Sequence, residues 1–223
     1  MVAPATPKLF ASSPATVLPI LVAAEGSAQH HYLSEPSLSV GRNATRNLAD
    51  VIHHLSLLHG RQPGVVDHAA HHTAHPAVRG WLLDATAGFV RERTVLTKLA
   101  VAIGPLPSTP GQNETESAVL AQQHALEMLA QSDRVGCAFG AAAALVLDWV
   151  AVRTVLDRAA HRLGVDVPES FLPNMVETNH AITALSDSVA VERAVSFGAK
   201  QLLAQHRGLW DLMAARQIAR GES

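Results

Sequence analysis

The stretch VGCAFGAAAALVLDWVAV, residues 135–152, carries a single charge in its whole length. That brings it close to the roughly 20 apolar residues a membrane-spanning helix needs. Its reading decides between a membrane protein and a globular bundle. Alanine and glycine make it less hydrophobic than its length suggests, Asp148 is costly in lipid, and no other segment compares with it. The stretch therefore reads as a central helix surrounded by protein. Gly136, Gly140, Ala144 and Asp148 follow one another at steps of four and share one ridge. The first three let a neighbouring backbone come close. A carboxylate entering such a seam needs a partner.

Outward from this helix, strand-like alternation is almost absent and helical periodicity recurs after each Pro/Gly break. A first short helix is expected over 17–33. The next runs from Ala44 to His59, with Leu48, Val51, Ile52, Leu55 and Leu58 on one face and Gly60 as a left-handed stop. RQPG (61–64) is a turn and VVDHAAHHTA (65–74) a short helical segment. Pro76 suits the start of a long helix to about Ile103. Asn113 with Glu116 resembles a capping box opening a helix to about Gln131. The central helix ends at Gly164. Asn174 with Glu177 repeats the cap signature before a helix to about Leu185, and a last helix covers about 189–219.

Long helices joined by short loops bury their stripes best as an up-and-down bundle. The expectation is an all-α, single-domain bundle of about six or seven helices over residues 17–220, preceded by a flexible tail at 1–16. This helical layout resembles ferritin-like or haem-oxygenase-like bundles. The resemblance covers layout only and transfers no residues. ETNH (177–180) fits the Glu-x-x-His spacing of ferritin-like di-iron proteins, but Glu177 is better read as a cap. A second copy ending on His124 would need Glu where Ala121 stands, and HALE (124–127) has the order reversed. The His-x-x-x-Asp-x-x-His pattern of haem-oxygenase-like di-iron enzymes has no match either.

Composition narrows the functional classes. Charged residues are 16% of 223, against roughly 25% in an ordinary soluble domain, and aromatics are 4%. A net charge of −2, with no basic run and no stacking aromatic series, argues against nucleic-acid binding. One cysteine, Cys137, excludes an intrachain disulfide, fits a reducing cytoplasm, and reads as a small buried residue. In the apolar N-terminal patch two prolines and Glu25 argue against an export signal, so the expected localisation is cytoplasmic. No Walker loop, GxSxG, GxGxxG or HExxH is present.

Histidine is the anomaly. Seven of the 13 lie between His53 and His75, and protonating all 13 would move the formal charge from −2 to +11. In DHAAHHTAH (67–75), His68/His72 and His71/His75 are i, i+4 pairs on a helix, a spacing that can chelate a divalent ion. A specific site would need a third ligand, such as His53, His54 or His59. The crowding otherwise reads as a solvated surface helix or a pH-sensitive contact.

Ionisable residues on apolar seams are the sharper signal. Val78, Leu82, Ala85, Phe89, Glu92, Leu96, Leu99 and Ile103 alternate steps of four and three, and Glu92 is the one polar member. It is expected either to pair with an arginine from another helix, such as Arg153, or to act as a ligand. His124 lines up with Leu120, Ala121 and Met128. His206 lies among Leu202, Leu203, Leu209, Trp210 and Met213, and Glu192 can share that side.

Bundle cores build metal and cofactor sites from such inward residues. Glu92, His124, Asp148 and His206 are therefore one metal-ligand set for iron, manganese or zinc, and His68, His71, His72 and His75 a second, less specific one. Two functions remain: a non-catalytic binding or interaction protein, in one form a homo-oligomer, or a metal- or cofactor-binding bundle. An enzyme here would be a metal-dependent oxidoreductase.

Overall fold

In the computed structural model, which describes residues 14–221, the chain is an all-α helical bundle, with no strand among those residues. Its helices are α1 (Pro14–Glu25), α2 (His31–Ser34), α3 (Ala44–His59), α4 (Val65–His72), α5 (Arg79–Ile103), α6 (Gln112–Ala130), α7 (Cys137–Leu163), α8 (Met175–Leu185) and α9 (Val189–Gly221). Short 3-10 turns at Ser27–Gln29, Pro36–Leu38 and Pro76–Val78 redirect the chain. The last two open on a proline, whose fixed φ suits a first helical position. Most of the stretch read as a tail, residues 1–13, lies outside the described residues, and α1 begins at Pro14, inside that stretch.

α7 is the central helix. From Cys137 to Trp149 every residue is buried. It is long and apolar enough to cross a membrane by length and composition, yet most of its apolar side chains, Val150 excepted, are buried inside the bundle. Its main neighbour is α9. The two approach closely because each offers a glycine. A Cβ on Gly140 would sit 2.1 Å from the Val195 carbonyl oxygen, and one on Gly198 would sit 2.1 Å from that of Cys137. The small-residue ridge of α7 is thus an α9 docking groove.

The seams of α3, α5 and α9 are buried as their spacing predicts. Leu48, Val51, Ile52, Leu55 and Leu58 are all buried, as are Leu82, Phe89, Leu96, Leu202, Leu209 and Met213. The broken first helix reflects Gly26, after which Ser27 turns back toward the core.

Four local expectations fail. Gly60 keeps a right-handed conformation (φ −73°, ψ −19°), and its N–H bonds the Ser56 carbonyl at 2.8 Å, so no left-handed stop forms. α6 begins at Gln112 behind Gly111, whose φ of +75° makes the entry turn. The Asn113–Glu116 box is therefore absent, and Glu116 accepts from Gln112 Nε2 instead. α6 also buries Thr115, Val119, Gln123, Leu126 and Ala130, leaving Leu120, Ala121, His124 and Met128 outward. Finally, α4 stops at His72, and Thr73 turns extended (φ −98°, ψ 95°). His75 therefore lies off the helix and the His71/His75 chelating pair does not exist on one face. The Asn174–Glu177 capping box, by contrast, forms as read.

Candidate functional site

Among the described residues, buried polar side chains gather most densely around Asp148 and around Asp50. The first centre gathers Glu92, Asp148 and His206 of the sequence-selected set, with Ser27, which periodicity cannot reveal. Asp148, on the α7 ridge, is 2% exposed. Its Oδ1 accepts the Ser27 N–H at 2.7 Å, and its Oδ2 accepts the Ser27 hydroxyl at 2.5 Å and His206 Nδ1–H at 2.6 Å. Ser27 Oγ in turn accepts Trp210 Nε1–H at 2.8 Å. Gly26 makes this approach possible, since a Cβ there would lie 2.5 Å from Asp148 Oδ1.

Burial pushes the Asp148 carboxyl up, but the hydrogen bonds and charge of His206, with Ser27, outweigh it and hold the group below its usual range. The carboxylate can only accept, so His206 Nδ1 carries a proton. His206 Nε2 lies 2.9 Å from His59 Nε2, room for one proton shared between the two rings. Burial, then the neighbouring His206 and Arg93, drive His59 well below an ordinary histidine.

The His59 ring meets Trp149 edge-on at 5.5 Å, and Trp149 Nε1–H donates to Glu92 Oε2 at 2.9 Å. Arg153 Nη1 donates to both Glu92 oxygens, at 2.9 and 3.0 Å. Arg153 also reaches Asp157 at 2.6 Å and the Pro168 carbonyl, tying the loop after α7 to the core. Glu92 is thus an ion-pair partner of Arg153, the first of its two expected roles.

His124 is exposed on the outer face of α6 and stands apart from this centre. His68, partly buried, faces Gln131 at 3.5 Å, while His71 and His72 are exposed and meet edge-on, ring centres 5.3 Å apart. Asp67 caps α4 at Gly64 N–H and pairs with Arg93. Among the described residues no three His, Cys, Asp or Glu side chains are arranged to hold a metal ion. Cys137 is buried, and burial pushes its thiol up.

The second centre surrounds Asp50, which is fully buried on α3. Arg216 and Arg220, one turn apart on α9, both reach it. Arg216 Nη2 binds Asp50 Oδ1 at 2.9 Å and the Pro107 carbonyl at 3.2 Å. Arg220 Nη1 binds Asp50 Oδ2 and, at 3.1 Å, Thr109 Oγ1, while its Nη2 binds Asn47 Oδ1 at 2.5 Å. His54 Nδ1–H donates to the Asp50 carbonyl at 2.7 Å. Burial lowers the His54 pKa despite that bond, and burial followed by the Asp50 charge raises that of Tyr32. Both rings are therefore neutral near pH 7.

Here the hydrogen bonding is incomplete. Arg216 Nε and Nη1, Arg220 Nε, the Tyr32 hydroxyl and His54 Nε2 are buried without a partner among the described residues. Sequence reasoning named His54 only as a possible third ligand for the 67–75 histidines and stopped short of Arg216 and Arg220, although their signal was present. Leu202, His206, Leu209, Met213, Arg216 and Arg220 continue one seam at alternating steps of four and three. A family model described as a family of unknown function (DUF6975) matches residues 22–221. No curated protein and no solved structure matches the chain.

Proposed function

The chain belongs to DUF6975, and from that premise we propose that it is a non-catalytic binding protein holding a small polar ligand inside the bundle, at the Asp50 centre. One observation carries this reading: five buried polar atoms there lack partners among the described residues. More than nine in ten buried polar groups in folded proteins are satisfied. Each unpaired one costs about 1–3 kcal/mol. Five around a single carboxylate are a cost that a bound ligand recovers. The Asp148–His206–His59 centre gives contrasting support, because its acid and base groups are spent on one another and on Ser27. It stiffens the α7–α9 seam and offers its groups to no ligand.

A thermal-shift screen of neutral, cationic and anionic compounds of a few heavy atoms tests the reading. At least one compound raises Tm saturably, and Tyr32→Phe needs a higher concentration of it for the same rise. If no compound of any charge class shifts Tm, the reading is wrong.

A further inference from the structure

We infer that the ligand of the Asp50 centre is a small monovalent oxyanion that also carries a hydroxyl, the chemistry shared by bicarbonate and a short 2-hydroxy acid. The inference rests on the binding reading above and adds the identity of the ligand class. Charge gives the first argument. Two guanidinium groups face one carboxylate, both arginines bond it directly, and Tyr32 and His54 are neutral, so the centre holds one unbalanced positive charge. Glu35 and Glu116 reach Tyr32 and His54 through space, but both are partly open to water, which screens them. A monoanion balances the buried charge, whereas a dianion reverses it and a cation doubles it.

The unused atoms give the second argument. Arg216 Nε and Nη1 and Arg220 Nε can only donate, and the un-ionised Tyr32 hydroxyl has a proton to give. Four donor atoms suit the spread charge of an oxyanion, and guanidinium groups match it well. His54 Nε2 differs. Its ring is neutral and Nδ1 holds the proton for the Asp50 carbonyl, so Nε2 is a bare acceptor. It calls for an O–H on the ligand. Burial gives the third argument: Tyr32, His54 and Arg216 are each at most 2% exposed, so a ligand among them has no long tail.

The test is a thermal-shift and calorimetric titration of the full chain at pH 8 and constant ionic strength. The probes are bicarbonate, glycolate, acetate, nitrate, chloride, sulfate and the neutral amide of glycolate. Glycolate or bicarbonate is expected to raise Tm saturably, and the stronger of the two identifies the source. Acetate and nitrate are expected to bind at least tenfold more weakly, and sulfate and the amide not at all. Tyr32→Phe, which keeps the ring and the packing, weakens the best probe about tenfold. His54→Leu removes its advantage over acetate.

Glycolate binding no better than acetate overturns the hydroxyl. Binding of the neutral amide equal to that of glycolate overturns the anion while leaving a polar ligand in place. Response to none of the probes overturns the anion inference, and the broader binding reading falls with it only if the screen that includes cations is blank as well.

Discussion

Gly140 of α7 lies against Val195 of α9 so closely that a methyl group on Gly140 would stand 2.1 Å from the Val195 carbonyl oxygen. The obstacle is backbone, which cannot rotate away as a side chain does. Gly140→Ala is therefore expected to cost about 3 kcal/mol, the upper end of ordinary overpacking. Gly80, in the first turn of α5, has nothing within 4 Å of its Cβ position. Gly80→Ala should stabilise by about 0.5–1 kcal/mol, because alanine loses less chain entropy in a helix. Urea unfolding of both variants checks the pair. Equal effects would mean that α7 and α9 are not packed at this glycine.

Glu92 and Arg153 form a buried pair, 1% and 6% exposed, with Trp149 as a third member. Removing one partner strands the other charge, so Glu92→Leu is expected to destabilise by about 3–5 kcal/mol. Glu92→Leu with Arg153→Met removes both charges and should recover a substantial part of that loss. The recovery is incomplete because Arg153 also holds Asp157 and the Pro168 carbonyl. A double-mutant cycle by chemical denaturation reads the coupling directly. Strict additivity would contradict the pair.

How much of this was legible in the sequence depends on how each element is buried. α3, α5 and α9 each have one dominant apolar seam, and the polar intruders Glu92 and His206 could be named from spacing alone. α6 has two competing stripes. Leu120–His124–Met128 is as regular as Val119–Gln123–Leu126–Ala130, and only the tertiary contacts choose the second. His124 fell on the wrong stripe for that reason. Asp148 was marked by the ridge of small residues, but its partner Ser27 is 121 residues away in a 3-10 turn, where no periodicity exists. Asp50 failed to stand out because it sits between apolar neighbours on a wide buried face of α3.

Ser27 links two buried groups, donating to Asp148 at 2.5 Å and accepting from Trp210 at 2.8 Å. Ser27→Ala leaves Trp210 Nε1–H without its acceptor and Asp148 with one hydrogen bond fewer. The expected cost is about 2–3 kcal/mol, in the range for orphaned buried polar groups. Trp210 also reports the change, since its indole N–H loses its partner. Unfolding followed by tryptophan emission provides the measurement, and a cost under about 0.5 kcal/mol would rule out the linkage.

Acid should loosen the bundle earlier than carboxylate titration alone would. His59 and His54 both titrate below an ordinary histidine in the folded state, in each case because burial disfavours the charged ring. In the unfolded chain they take a proton near pH 6.5. Below that pH the unfolded state binds protons the folded state refuses, so stability falls as pH falls, by about 1.4 kcal/mol per pH unit for each ring. Asp148 works in a lower window. Its folded pKa lies below the unfolded value near 3.8, so its contribution is intact above that value and is lost only as pH drops through the folded one. Urea midpoints should therefore be level above pH 7 and decline from about pH 6.5 toward pH 5. His59→Phe removes one of the two rings and should cut the slope in that window by about 1.4 kcal/mol per pH unit, even if its own stability at pH 8 is lower. A slope unchanged by His59→Phe would show that the ring beside His206 takes up its proton without unfolding the bundle.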